Sequence, residues 1–149
     1  MKSLPTKTML AAAALVVATG AASAQSLKAD IPFAFRISGT VMVAGTYEVN
    51  TTGDGSGSRM LRLWNADTHQ SVLALPSYLN LNTKWDGEAK LVFECGGGPC
   101  ALIEVWNGSP SIYTFIRPKR GRHEETYLAV IPLRHDQRRI AAQADELRR

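Results

Sequence analysis

The 149-residue chain is poor in the residues that metal and redox chemistry require, with two cysteines and three histidines. Two cysteines exclude a disulfide-dense small scaffold, and without a second Cys pair or a His-x-x-x-His they make no zinc site. The Gly-x-Ser-x-Gly nucleophile elbow and the His-Glu-x-x-His zinc helix are both missing from the sequence. No cofactor or metal is called for, and a catalytic role is not expected. Beyond the first segment, no apolar run approaches the roughly 20 residues that a membrane-spanning helix needs. Charged residues are 20% and hydrophobic residues 45%, a balance that excludes a disordered chain.

What the chain has at its start is an address. Lys2 and Lys7 precede or flank the apolar run Met9 to Ala18, and Ala22-Ser23-Ala24 ends the segment. A basic start, a short apolar middle and an A-x-A end are the parts of a secretory signal. Cleavage is expected after Ala24, giving a signal peptide over 1–24 and a periplasmic or secreted protein. No Cys follows the cut, so a lipid anchor is not expected. Removal of the segment lowers the formal net charge from +4 to +2. The remaining charge is uneven. Residues 25–110 hold six Lys/Arg against eight Asp/Glu, and residues 111–149 hold nine against five.

Apolar residues in the body recur with period two in short runs separated by Gly, Pro, Asn and Asp, the pattern of half-buried strands. Expected strands are Ile31 to Ile37, Val41 to Thr51 interrupted at Ala44-Gly45, Met60 to Trp64, and Val72 to Leu75. Lys90 to Cys95 and Cys100 to Trp106 read as a hairpin closed by Gly96-Gly97-Gly98-Pro99, followed by Ile112 to Ile116 and Thr126 to Ile131. A turn is expected over 54–58. About eight short strands imply an all-β fold, a single antiparallel sandwich or barrel-like domain over 25–135. Residues 136–149 read as a short C-terminal helix. Asp136 is placed to cap it, and Ile140, Ala144 and Leu147 form a thin apolar stripe that predicts weak docking.

Ala29-Asp30-Ile31-Pro32-Phe33-Ala34-Phe35, followed by Ala44-Gly45-Thr46-Tyr47-Glu48-Val49, resembles the opening of small secreted β-rich bacterial proteins that recur in acidobacteria. Lys90-Leu91-Val92-Phe93 and Ile103-Glu104-Val105-Trp106 resemble their central hairpin. The resemblance covers about half of the chain after the signal and implies an exported β-rich fold; it implies no activity. Physically, both opening motifs read as packing, with Phe33 and Phe35 on one face and Gly45 permitting a turn.

Cys95 and Cys100 lie on opposite sides of the expected hairpin loop, in an oxidising destination, and are expected to form a structural disulfide. A redox dithiol would more often have two residues between its cysteines at a helix start. Two features remain as a candidate ligand surface. Arg117, Lys119, Arg120 and Arg122 place four cations around Pro118 and Gly121, as a solvated loop or as a contact for phosphate or acidic sugar. Trp85 stands in a polar stretch that favours exposure of its ring. Glu104, between Ile103 and Val105, would need a basic partner if buried and otherwise faces water. His69, His123 and His135 are scattered over loops.

The sequence therefore reads as an exported, non-catalytic binding or structural module of the cell envelope. Its possible partner class is an anionic polysaccharide or lipid surface. Nucleic acid is not expected, because Arg120-Gly121-Arg122 runs into acids and the chain is exported. The alternative from another class is a small periplasmic hydrolase.

Overall fold

The computed structural model describes residues 26–53, 59–80, 84, 87–109 and 111–148. The expected signal over 1–24, the turn over 54–58 and Trp85 lie outside the described residues. The all-β expectation holds, with twelve strands among the described residues rather than about eight. The difference has local causes, and Pro32 is the clearest. Leu27, Ala29 and Ile31 alternate as buried residues in β1 (Leu27–Ile31). Pro32 has no N–H to continue a ladder. The alternation resumes at Phe35 and Ile37 in β2 (Phe35–Ile37), which belongs to the other sheet. One expected strand is thus two.

Ser38 and Gly39 then have positive φ, 47° and 81°. Positive φ at both central residues is what a two-residue hairpin turn of type I′ requires, and it pairs β2 with β3 (Thr40–Met42). The chain continues through β4 (Gly45–Gly53), β5 (Arg59–Asn65), β6 (Ser71–Ala74) and β7 (Tyr78–Asn80). The hairpin read from the sequence is β8 (Lys90–Gly96) and β9 (Gly98–Trp106), and β10 (Ile112–Thr114), β11 (Tyr127–Pro132) and β12 (Arg134–His135) follow.

Two sheets result. The first runs β12-β1-β4-β5-β6, all antiparallel. The second runs β11-β8-β9-β10-β7 and also carries β2 and β3. The far edge of β9 is shared: β10 pairs antiparallel at Glu104 to Trp106, and β2 pairs parallel at Cys100 and Ala101. That change of partner leaves a discontinuity beside Leu102.

The core lies between the sheets, and aromatic rings knit it. Phe35 meets Tyr47 from the first sheet and Phe93 from the second edge-to-face, at centroid distances of 5.2 and 5.4 Å. Phe33 packs edge-on against Phe93 as well. The shared face of Phe33 and Phe35 read from the sequence is this layer.

The Gly45 motif has a different explanation from a permitted turn. Asn65 is fully buried, and its Oδ1 accepts hydrogen bonds from the Asp67 and Thr68 N–H groups at 2.9 and 3.1 Å. A methyl group on residue 45 would meet Asn65 Nδ2 at 2.8 Å. Glycine is needed there for close approach of a turn-holding side chain from the neighbouring strand. Two residues on, the Tyr47 hydroxyl donates to the Val43 carbonyl at 2.6 Å and so satisfies the polar end of a buried ring.

Cys95 and Cys100 are joined as a disulfide, and both are buried. Closing a loop this short stabilises a fold by about 2 kcal/mol on the chain-entropy estimate. Replacing both by Ala should therefore lower the free energy of urea unfolding by about that amount while the β-sheet circular dichroism persists. Thiol titration of the unfolded, unreduced protein should find no free thiol.

The chain ends in α1 (Gln137–Glu146). Asp136 precedes it, and its carboxylate pairs with Lys28 Nζ at 3.0 Å. Ala144 is exposed and Leu147 is 89% exposed, as a thin stripe predicts. Among the described residues, no helix is long and apolar enough to cross a membrane.

Candidate functional site

The surface of interest is the outer face of the second sheet and the segment after β10. On β8, Leu91, Phe93 and Cys95 point into the core, so Val92 and Glu94 point outward. Glu94 is nevertheless buried, with 8% of its surface exposed. What covers it is the basic segment itself. Arg117 Nη1 donates to Glu94 Oε2 at 3.1 Å, and Arg120 Nη2 donates to the Glu94 carbonyl at 3.0 Å. Arg120 Nε lies 3.1 Å from Glu94 Oε1, an ion-pair distance at which the N–H is not aimed well enough to count as a hydrogen bond.

A second acid closes the arrangement. Glu124 Oε1 accepts from the Gly97 N–H at 3.1 Å and lies 4.0 Å from Arg120 Nη1. Two glycines of the hairpin, Gly96 and Gly97, leave room for this docking. A methyl group on Gly96 would overlap the Arg120 guanidinium, and one on Gly97 would come within 2.8 Å of Glu124 Oε1. Gly96 and Gly97 are thus the floor of a clasp, in addition to being turn residues.

The clasp divides the four cations named from the sequence. The Arg120 side chain is only 15% exposed and belongs to the fold, which removes it from the candidate ligand surface. Arg117 is tied to Glu94 by one nitrogen, with its side chain 59% exposed. Lys119 and Arg122 are exposed. Four cations against Glu94, Glu124 and Glu125 leave one net positive charge, so the segment is much less basic than its sequence reads.

Sequence reasoning missed the contribution of Arg36. At the discontinuity beside Leu102 lies a groove of about 380 Å³ lined by Ile37, Leu102 and Phe115 within and by Leu75 and Ile116 toward solvent. Arg36 and Arg117 stand in the same lining, with Ser38 and Ser77. Ile116 and Leu75 are 82% and 65% exposed, large apolar side chains in a lining that also holds two arginines. The groove therefore presents an apolar trough with cationic edges and hydroxyl groups. Arg36 alternates with buried Phe35 and Ile37, so in sequence it looked like any outward strand residue.

Elsewhere on the same face, Lys90 Nζ sits 4.7 Å from the Trp106 ring centre, and Trp106 Nε1 donates to Glu104 Oε2 at 3.1 Å. Glu104 thus has a neutral donor, and Trp106 is covered by a cation rather than open for stacking. His69, His123 and His135 are exposed and far apart in the chain, on the turn after β5, the clasp segment and β12. Among the described residues, no group of three or more His, Cys, Asp or Glu could hold a metal ion. In comparisons with known proteins, no family model, curated protein or solved structure matches the chain.

Proposed function

We propose that the protein is an exported, non-catalytic binding module of the cell envelope, and that it holds an anionic lipid surface at the groove. The observation that supports this reading is the combination in one trough of exposed Leu75 and Ile116 with Arg36 and Arg117. An apolar patch rimmed by cations suits a boundary where phosphate headgroups lie above hydrocarbon. A polysaccharide would use the cations and leave the apolar side chains idle. Lys119 and Arg122, exposed in the segment that follows Arg117, add further cations. Attraction between such exposed charges and an anionic surface acts over about 8 Å at physiological salt.

Co-sedimentation with vesicles tests the reading. The protein should be retained by phosphatidylglycerol vesicles at low salt, released as salt rises, and not retained by phosphatidylcholine vesicles. Immobilised acidic polysaccharide serves as the second arm. Retention there but not on phosphatidylglycerol would move the ligand to the polysaccharide class. Equal retention on neutral and anionic vesicles, or on none of the three, would reject an anionic partner.

A further inference from the structure

The groups on which the basic segment docks lie in or beside the loop that the disulfide closes. Glu94 immediately precedes Cys95 and meets the two arginines with its carboxylate and Arg120 with its backbone carbonyl as well. Gly96 lies under the Arg120 guanidinium, and the Gly97 N–H donates to Glu124. Neighbouring strands hold the two cysteines, since Tyr127 pairs with Cys95 and Phe35 with Cys100. The loop between them has less to hold it. Gly96, Gly97 and Gly98 lose more backbone freedom on ordering than other residues would, and Pro99 brings no N–H to the ladder. Pairing of β8 with β9 is also irregular between Glu94 and Gly96. The disulfide therefore closes this loop from the core side, while Arg120 and Glu124 close it from the outer face.

We propose that the two closures form one redox-sensitive latch: the basic segment stays docked while the Cys95–Cys100 bond is intact, and reduction of the bond releases it. A dithiol reductant breaks the sulfur–sulfur bond by supplying two electrons and two protons. Cys95 and Cys100 become thiols, and the reductant is left as its own disulfide. Without the bond the glycine loop regains its freedom, and docking must order the loop anew each time it forms. Coupling of this kind is reciprocal, so loss of docking weakens the disulfide by the factor that reduction takes from docking. Burial adds a kinetic side. Cys95 and Cys100 are 1% and 6% exposed, so a reductant reaches sulfur only when this end of the hairpin opens. Release of the segment returns Arg120, now 15% exposed, to solvent with the other three cations.

Trypsin reads the closed state, because it must take the Arg120 side chain out of the clasp to cut the Arg120–Gly121 bond. The variant Cys95→Ala with Cys100→Ala should be cut there about tenfold faster than the unaltered protein, a factor within the usual range for coupled sites. In the other direction, the disulfide of Arg120→Ala should be reduced by dithiothreitol about tenfold faster, as counted by mass-tagging of the thiols. Val49→Ala, in the core on β4, lowers global stability without touching the clasp. Its disulfide should be reduced at nearly the rate of the unaltered protein, since local opening is the route. Equal cleavage after Arg120 with and without the disulfide would overturn the latch, as would an unchanged reduction rate in Arg120→Ala. Reduction accelerated as much by Val49→Ala as by Arg120→Ala would make global unfolding the route and overturn it too.

Discussion

Phe35→Ala should cost about 3–5 kcal/mol of folding stability, the usual range for removing a fully buried ring. Phe35 has no exposed surface and is the ring that touches both sheets, meeting Tyr47 on one side and Phe93 on the other. Its loss removes two edge-to-face contacts together with the buried area of the ring. A domain of this size has about 5–15 kcal/mol in total, so the variant should sit close to its unfolding midpoint in modest urea. Phe33→Ala should cost less, because Phe33 is half-buried and, among the described residues, its ring pairs with Phe93 alone. Urea unfolding followed by circular dichroism measures both. Equal and small losses would mean that the ring layer does not join the sheets.

Arg120→Ala should destabilise by about 2 kcal/mol, a value below that for severing a fully buried ion pair because Glu94 keeps Arg117. The change leaves the Glu94 carboxylate and its backbone carbonyl without the side chain that covers them. Arg117→Ala, at a side chain 59% exposed, should cost less than about 1 kcal/mol. Arg120→Lys should recover only part of the loss, since an ammonium cannot reproduce the planar fork. Gly96→Ala should resemble Arg120→Ala, because its methyl group takes the place of the guanidinium. The order Arg120 above Arg117 is the informative result. If the two cost the same, the segment would be a solvated loop with no clasp.

Much of the fold is legible because alternation is local. Leu61, Leu63, Val72 and Ala74 are buried in turn along β5 and β6, as period two predicts. The hairpin of β8 and β9 and its cysteine pair follow from turn residues and spacing alone. The short strands β7 and β12 were not legible, since three and two residues give no period to read. The site was harder, for a physical reason. Glu94 and Glu104 both project from the outer face of one hairpin, and both sit in apolar runs. Which of them is buried depends on a segment that starts 23 residues after Glu94 and folds back over it. Nothing within the strand carries that information. Arg36 likewise gains its meaning from Leu75 and Ile116, brought beside it by the packing of distant strands.

The division of the cations is the claim on which the functional reading rests: Arg120 holds the fold, Arg36 lines the groove, and Lys119 and Arg122 are exposed in the segment that follows Arg117. Retention on phosphatidylglycerol vesicles by a variant with Arg36, Lys119 and Arg122 all changed to Ser tests it most directly. Each basic residue near an anionic surface contributes about 1 kcal/mol, so losing three should weaken binding about a hundredfold. The melting temperature should stay that of the unaltered protein, because none of the three belongs to the clasp. Binding that persists undiminished in this variant would contradict the assignment.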